Sequence, residues 1–183
     1  MASTWYNDFS TVPDMENYTM VNRTYRYHPG PSLSPFGYGL SYTTFNYTVE
    51  PVGDTFEVCS EIPISATVTN TGLRDGDEAV QVYLSQPYAT VRQPLRQLVA
   101  FQRIHVKVGQ SYRVSFKITK KQLSVMREMG TLWRTGEYEP GERIIFVGGG
   151  QPVPYLRRNA AQLCVVLFHV NVTGSTTPTK NCK

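Results

Sequence analysis

The sequence predicts an all-β protein in which two sheets of short strands face one another, preceded by an irregular extension over residues 1–40. Three observations carry that prediction. Apolar and polar residues alternate along several short runs, which is the period of a half-buried strand. Turn-forming residues punctuate those runs, with 14 glycines and 12 prolines in 183 residues. The 12 tyrosines and 8 phenylalanines supply side chains that strands favour. The length accommodates one core of roughly 100–150 residues plus extra segments. With 17% charged and 12% aromatic residues, the composition is that of a globular chain.

The extension holds Pro13, Pro29, Pro31 and Pro35 with Gly30, Gly37 and Gly39, and no helical apolar period survives across it. It is also rich in rings: Tyr18, Tyr25, Tyr27, Phe36 and Tyr38. A free linker would be polar, because exposed rings leave apolar surface in water. The segment is therefore expected to pack, either on its own sandwich or on a partner domain.

Strands begin after Ser41. The first covers Tyr42, Thr44 and Phe45 to Val49. A second run, Phe56 to Thr69, places Ile62, Ile64, Ala66 and Val68 on one face, with Pro63 marking its first half as an edge or bulge. Asn70-Thr71-Gly72 and Asp75-Gly76 carry turn chemistry, and alternation resumes from Ala79 to Ser85, so the two runs read as a hairpin. Further strands are expected at Gln97–Arg103, Ser111–Ile118, Glu142–Val147 and Leu163–Val172. Lys120 to Met129 is the one helical candidate, with Leu123 and Met126 on one side. The Ser/Thr-rich tail, 173–183, is expected to be disordered. About seven short strands with turns near every tenth residue predict an immunoglobulin-like sandwich over residues 41–172.

Several functional classes are disfavoured. The net charge of +4 is mild, and Lys120-Lys121 and Arg157-Arg158 are the only basic doublets, whereas nucleic-acid binders concentrate charge on one face. The longest apolar run, Leu163 to Phe168, is far short of the roughly 20 residues of a spanning helix. Neither nucleic acid nor membrane is an expected partner. Cys59, Cys164 and Cys182 lack metal-ligand spacing, and His28, His105 and His169 are widely separated. Gly148-Gly149-Gly150 lacks phosphate-loop spacing, and Pro152 and Pro154 oppose a following helix. No Gly-x-Ser-x-Gly elbow is present. The carboxylates fall in turns (Asp54, Asp75, Asp77, Glu78) or on polar strand faces (Glu137, Glu139, Glu142), where solvation is the default. No catalytic residue, cofactor or metal is assigned.

Cys59 and Cys164 lie on separate expected strands. A bridge between them requires Cα atoms within about 7 Å, and two buried thiols are the alternative. Cys182 is expected to pair with nothing or with another chain. Four sequons, at Asn17, Asn22, Asn46 and Asn171, are glycan acceptors if the chain enters the secretory route. The N-terminus lacks a basic start and an apolar stretch, so it does not read as a signal peptide. Sequons without a signal lead to the expectation of a fragment of a longer secreted or lumenal protein.

Thr24-Tyr25-Arg26-Tyr27 and Pro35-Phe36-Gly37-Tyr38-Gly39-Leu40-Ser41-Tyr42-Thr43 resemble the junction into the last domain of family 3 glycoside hydrolases. Val68-Thr69-Asn70-Thr71-Gly72 and Gly76-Asp77-Glu78-Ala79-Val80-Gln81-Val82-Tyr83 resemble the first part of their fibronectin type III-like domain. Pro94-Leu95-Arg96-Gln97-Leu98, Phe101-Gln102-Arg103, Pro140-Gly141-Glu142 and Val147-Gly148-Gly149 continue in the expected order. The resemblance implies a parent enzyme with an upstream barrel and an α/β sandwich domain, releasing sugars from β-linked glycans with retention. Its β-xylosidase and β-glucosidase members are the nearest in form. Catalytic groups would lie in the upstream domains, and none maps onto a residue here. Tyr25, Tyr27, Phe36, Tyr38 and Tyr42 become candidates for an interface that stabilises those domains. A glycan-binding module using Tyr25, Tyr27, Phe36, Tyr38 or Trp133 for polysaccharide, and a stand-alone adhesion or scaffold domain, are the alternatives.

Overall fold

The computed structural model describes residues 5–50, 53–129, 133–152 and 165–182. The extension carries little regular structure: a 3-10 turn at Phe9–Thr11, a single turn α1 (Thr24–Tyr27) and a bridge between Tyr6 and Ser32. The strands that follow are β1 (Phe45–Val49), β2 (Thr55–Glu57), β3 (Ile62–Asn70), β4 (Gly76–Ser85), β5 (Gln97–Val106) and β6 (Ser111–Ile118). After α2 (Lys120–Leu123) come β7 (Val125–Met129), β8 (Trp133–Tyr138), β9 (Gly141–Gly148), β10 (Val165–Thr173) and β11 (Thr177–Pro178).

These strands form a three-stranded sheet ordered β1-β3-β6, a five-stranded sheet ordered β2-β10-β9-β4-β5 and a small sheet ordered β11-β8-β7. The first two share one core. Ile62, Ile64, Ala66 and Val68 from β3 and Val114 and Ile118 from β6 join Val80, Val82 and Leu84 from β4, Ile145 and Val147 from β9 and Val170 from β10. The alternation of β3 is the physical cause of its placement, since every second residue from Ile62 to Val68 is essentially fully buried. β1 pairs only with Ala66 to Asn70, so the first half of β3 is open on that side. Pro63 sits there, where no β1 residue is paired with it, as expected.

Three expectations are corrected. Residues 56–85 are not a hairpin, because β3 and β4 lie in different sheets. The chain arches across the core at Asn70, whose buried side chain accepts from the Thr43 hydroxyl at 2.6 Å and donates to the Arg74 and Val106 carbonyls. Alternation identifies one greasy face per strand but does not say whether two such faces lie side by side or opposite. Lys120–Leu123 is one capped turn, in which Gln122 reaches back to the Thr119 amide, and the chain then becomes β7, anchored by the fully buried Val125. β-Branched Val125 is better placed on a strand, and the short Leu123/Met126 spacing could not outweigh that. The tail is ordered as far as Cys182: β11 pairs with Tyr138 and Glu137 of β8, and Cys182 is bonded to Cys59, with Cα atoms 5.5 Å apart. A Cys59–Cys164 bridge, one of the two alternatives left open for that pair, is therefore excluded, and Cys164 lies outside the described residues.

Candidate interaction surface

β4 is buried on both faces from Val80 to Ser85. One face meets the core. The other carries Gln81, Tyr83 and Ser85, and the extension lies across it. Tyr25 stacks on Phe36 with ring centroids 4.7 Å apart and meets Tyr83 edge-on. The Tyr83 hydroxyl is buried and donates to Gln81 Oε1 at 2.6 Å, and burial pushes that phenol well above its ordinary range.

Backbone bonds fix the extension along its length. The Leu95 amide donates to the Arg26 carbonyl at 2.8 Å, and the Gln151 amide donates to the Phe36 carbonyl at 3.0 Å. The Phe36 amide donates in return to Gln151 Oε1 at 2.9 Å. Arg96, only 6% exposed, donates to the His28 carbonyl at 2.8 Å and to the Pro152 carbonyl at 2.6 Å. One guanidinium thus joins the extension to the segment after β9. Gly37, at φ +82, lies so close to Gln81 that a Cβ would come within 2.5 Å of its Nε2.

The five interface candidates separate accordingly. Tyr25 and Phe36 are spent on the chain's own sandwich, and Tyr27 is half-buried beneath two guanidinium groups, those of Arg26 and Arg92. Tyr38 and Tyr42 point away, and Tyr42 is 94% exposed. Sequence reasoning missed how much accompanies them: Phe9, Met15, Tyr18 and Leu40 of the extension are all more than four-fifths exposed. These side chains leave a run of apolar surface in water along one segment. The Trp133 side chain lies outside the described residues.

Several of the acidic groups are committed within the chain. Asp77 pairs with Arg103 and His105, Glu50 with Arg113, Glu61 with Lys117 and Glu142 with His169. Glu139 is buried and accepts from Thr90. Glu78 sits in a recess of about 210 Å3 between the extension and the sandwich, taking a 2.5 Å bond from the Tyr47 hydroxyl. Burial raises its carboxyl above the ordinary value, opposed by the hydrogen bonds from Tyr47 and the Ala79 amide. Gly149 makes that recess, because a Cβ there would lie 2.2 Å from Glu78 Oε1. Asn17, Asn22, Asn46 and Asn171 are all exposed.

A model of the fibronectin type III-like domain matches residues 78–151. The chain is 38% identical over 147 residues to a xylan 1,4-beta-xylosidase of Xylanibacter ruminicola, an alignment covering 76% of this chain and 16% of that protein. It is 37% identical over 134 residues to a beta-xylosidase of Formosa agariphila, covering 73% of this chain and 18% of that one. Among solved structures, the GH3 beta-glucosidase of Bifidobacterium adolescentis superimposes with a TM-score of 0.69 at 25% identity, over 92% of this chain and 25% of that one. The chain therefore spans a quarter or less of the length of these proteins.

Proposed function

This chain belongs to the fibronectin type III-like domain family, in the form carried by beta-xylosidases and beta-glucosidases, and on that premise we propose that it is the non-catalytic C-terminal module of a secreted family 3 glycoside hydrolase. The parent activity is retaining exo-β-xylosidase, on xylan or arabinoxylan, or β-glucosidase. The module packs on the upstream barrel and α/β sandwich domains and holds them in register.

The observation that carries this reading is the two-sided extension. Its inward side is bonded to the sandwich through Tyr25, Phe36 and Arg96, while Phe9, Tyr18 and Leu40, with Tyr42 just after it, present bare apolar surface outward. Covering such surface gains roughly 25 cal/mol per Å2 before the costs of ordering. The sheets support the same reading: β1-β3-β6 and β2-β10-β9-β4-β5 share one core, as facing sheets do in a sandwich. The Cys59–Cys182 bond favours an oxidising compartment. The exposure of Asn17, Asn22, Asn46 and Asn171 supports their glycosylation in a secreted or lumenal protein.

Turnover of aryl β-xylosides and β-glucosides tests the proposal. The 183-residue chain is expected to show none, and the enzyme carrying it together with the upstream domains is expected to hydrolyse at least one. Hydrolysis by the chain alone would overturn the reading.

A further inference from the structure

A groove of about 490 Å3 opens where three separate parts of the chain meet. α1 contributes Arg26 and Tyr27, the β4–β5 loop contributes Arg92, and the α2–β7 segment contributes Lys121. Gln93 and Gln97 add side-chain amides, and Pro94 and Met126 add apolar walls. The volume falls within the roughly 300–1,000 Å3 of small-ligand sites.

The charge in this groove is one-sided. Three cations line it, and among the described residues no carboxylate does. That contrasts with the rest of the surface, where Arg103, Arg113 and Lys117 each have an acidic partner. Arg26 keeps a buried Nε with no hydrogen-bond partner. Arg26 and Arg92 both stand over the Tyr27 ring, each 5.9 Å from its centroid. These guanidinium groups compete for the ring that a neutral sugar would need for stacking, and they place their positive charge at the groove instead.

We propose that this groove binds a carboxylated saccharide, with Arg92 and Lys121 pairing the carboxylate and the glutamine amides taking hydroxyl groups. Guanidinium and ammonium donors match carboxylate acceptors in charge and geometry. The amides bond hydroxyls, while Pro94 and Met126 accept the apolar face of a sugar ring. The choice of a saccharide rests on the proposed carbohydrate-enzyme reading. The charge of the ligand rests on the groove alone.

Isothermal titration of the 183-residue chain with a hexuronic acid tetramer, a neutral xylo-tetramer, a sulfated oligosaccharide and a glutamate-rich peptide tests the proposal. The hexuronate is expected to bind saturably, at least about tenfold more tightly than each of the other three, and to weaken as salt rises. Arg92→Gln and Lys121→Gln, both at exposed positions, are each expected to weaken hexuronate binding about tenfold. Their melting temperature should match that of the unaltered chain, and a neutral tetramer should not discriminate between them. No hexuronate binding, equal binding of the neutral tetramer, or tighter binding of the peptide or sulfated sugar would each overturn the proposal. Binding by a chain whose parent proved not to be a glycosidase would leave the groove intact and sink only the parent reading.

Discussion

Single side chains decide whether the extension stays on the sandwich. Arg96, itself buried, donates to the His28 and Pro152 carbonyls and so ties the extension to the segment after β9. Arg96→Met keeps the apolar stem and removes both bonds, so a loss of about 2–4 kcal/mol in urea unfolding is expected. Amide exchange at Tyr25 to His28 should accelerate in the same variant, and unchanged exchange there would contradict the assigned role. Glu78 gives a prediction in pH. Its folded carboxyl binds a proton more tightly than the unfolded chain does, so its contribution is present below about pH 4.5 and is lost as pH rises through the higher folded value. Glu78→Gln keeps an acceptor for Tyr47 and removes that loss. The variant should therefore gain on the unaltered protein between pH 4.5 and 7. Asp77, whose carboxyl is held low by His105 and Arg103, acts in the opposite sense but is common to both proteins and cancels in the comparison. Parallel stability profiles would refute the Glu78 assignment.

At the scale of elements, the disulfide and the tail act together. Cys59 and Cys182 are 123 residues apart, so their bond closes a long loop in the unfolded chain. Cys182→Ser is expected to lower stability by about 2–5 kcal/mol on the chain-entropy account. Cys164→Ser should leave the Cys59–Cys182 linked peptide intact in a non-reducing digest, and its disappearance would show that the pairing is wrong. These elements also show what could be read from sequence. The strands that alternate strongly, β3, β6 and β9, were legible because burial of one face imposes period two. The arch at Asn70 was not, because its turn residues suit a hairpin equally well and only the bonds of the Asn70 side chain to Thr43, Arg74 and Val106 decide between them. Cys182 was placed in a fraying tail because its order depends on β8 and Cys59, both distant in sequence. Of the interface candidates, Tyr42 lies outward, almost bare of contacts. Tyr25 and Phe36 turned inward because Tyr83 of β4 offered them a ring to pack on, a contact that no local pattern announces.

At the scale of the whole molecule, the outward apolar side of the extension is proposed to be covered in the intact enzyme. Phe9, Tyr18, Leu40 and Tyr42 are almost bare in this chain. We propose that a partner covers them, within the remaining length of proteins several times longer than this chain. Hydroxyl-radical footprinting of these four residues, in the 183-residue chain and in the enzyme that carries it, tests the claim most directly. Labelling should fall severalfold at Phe9, Tyr18, Leu40 and Tyr42 in the whole enzyme while staying unchanged at Leu73, an exposed residue elsewhere on the chain. Equal labelling of all of them in both proteins would contradict the account.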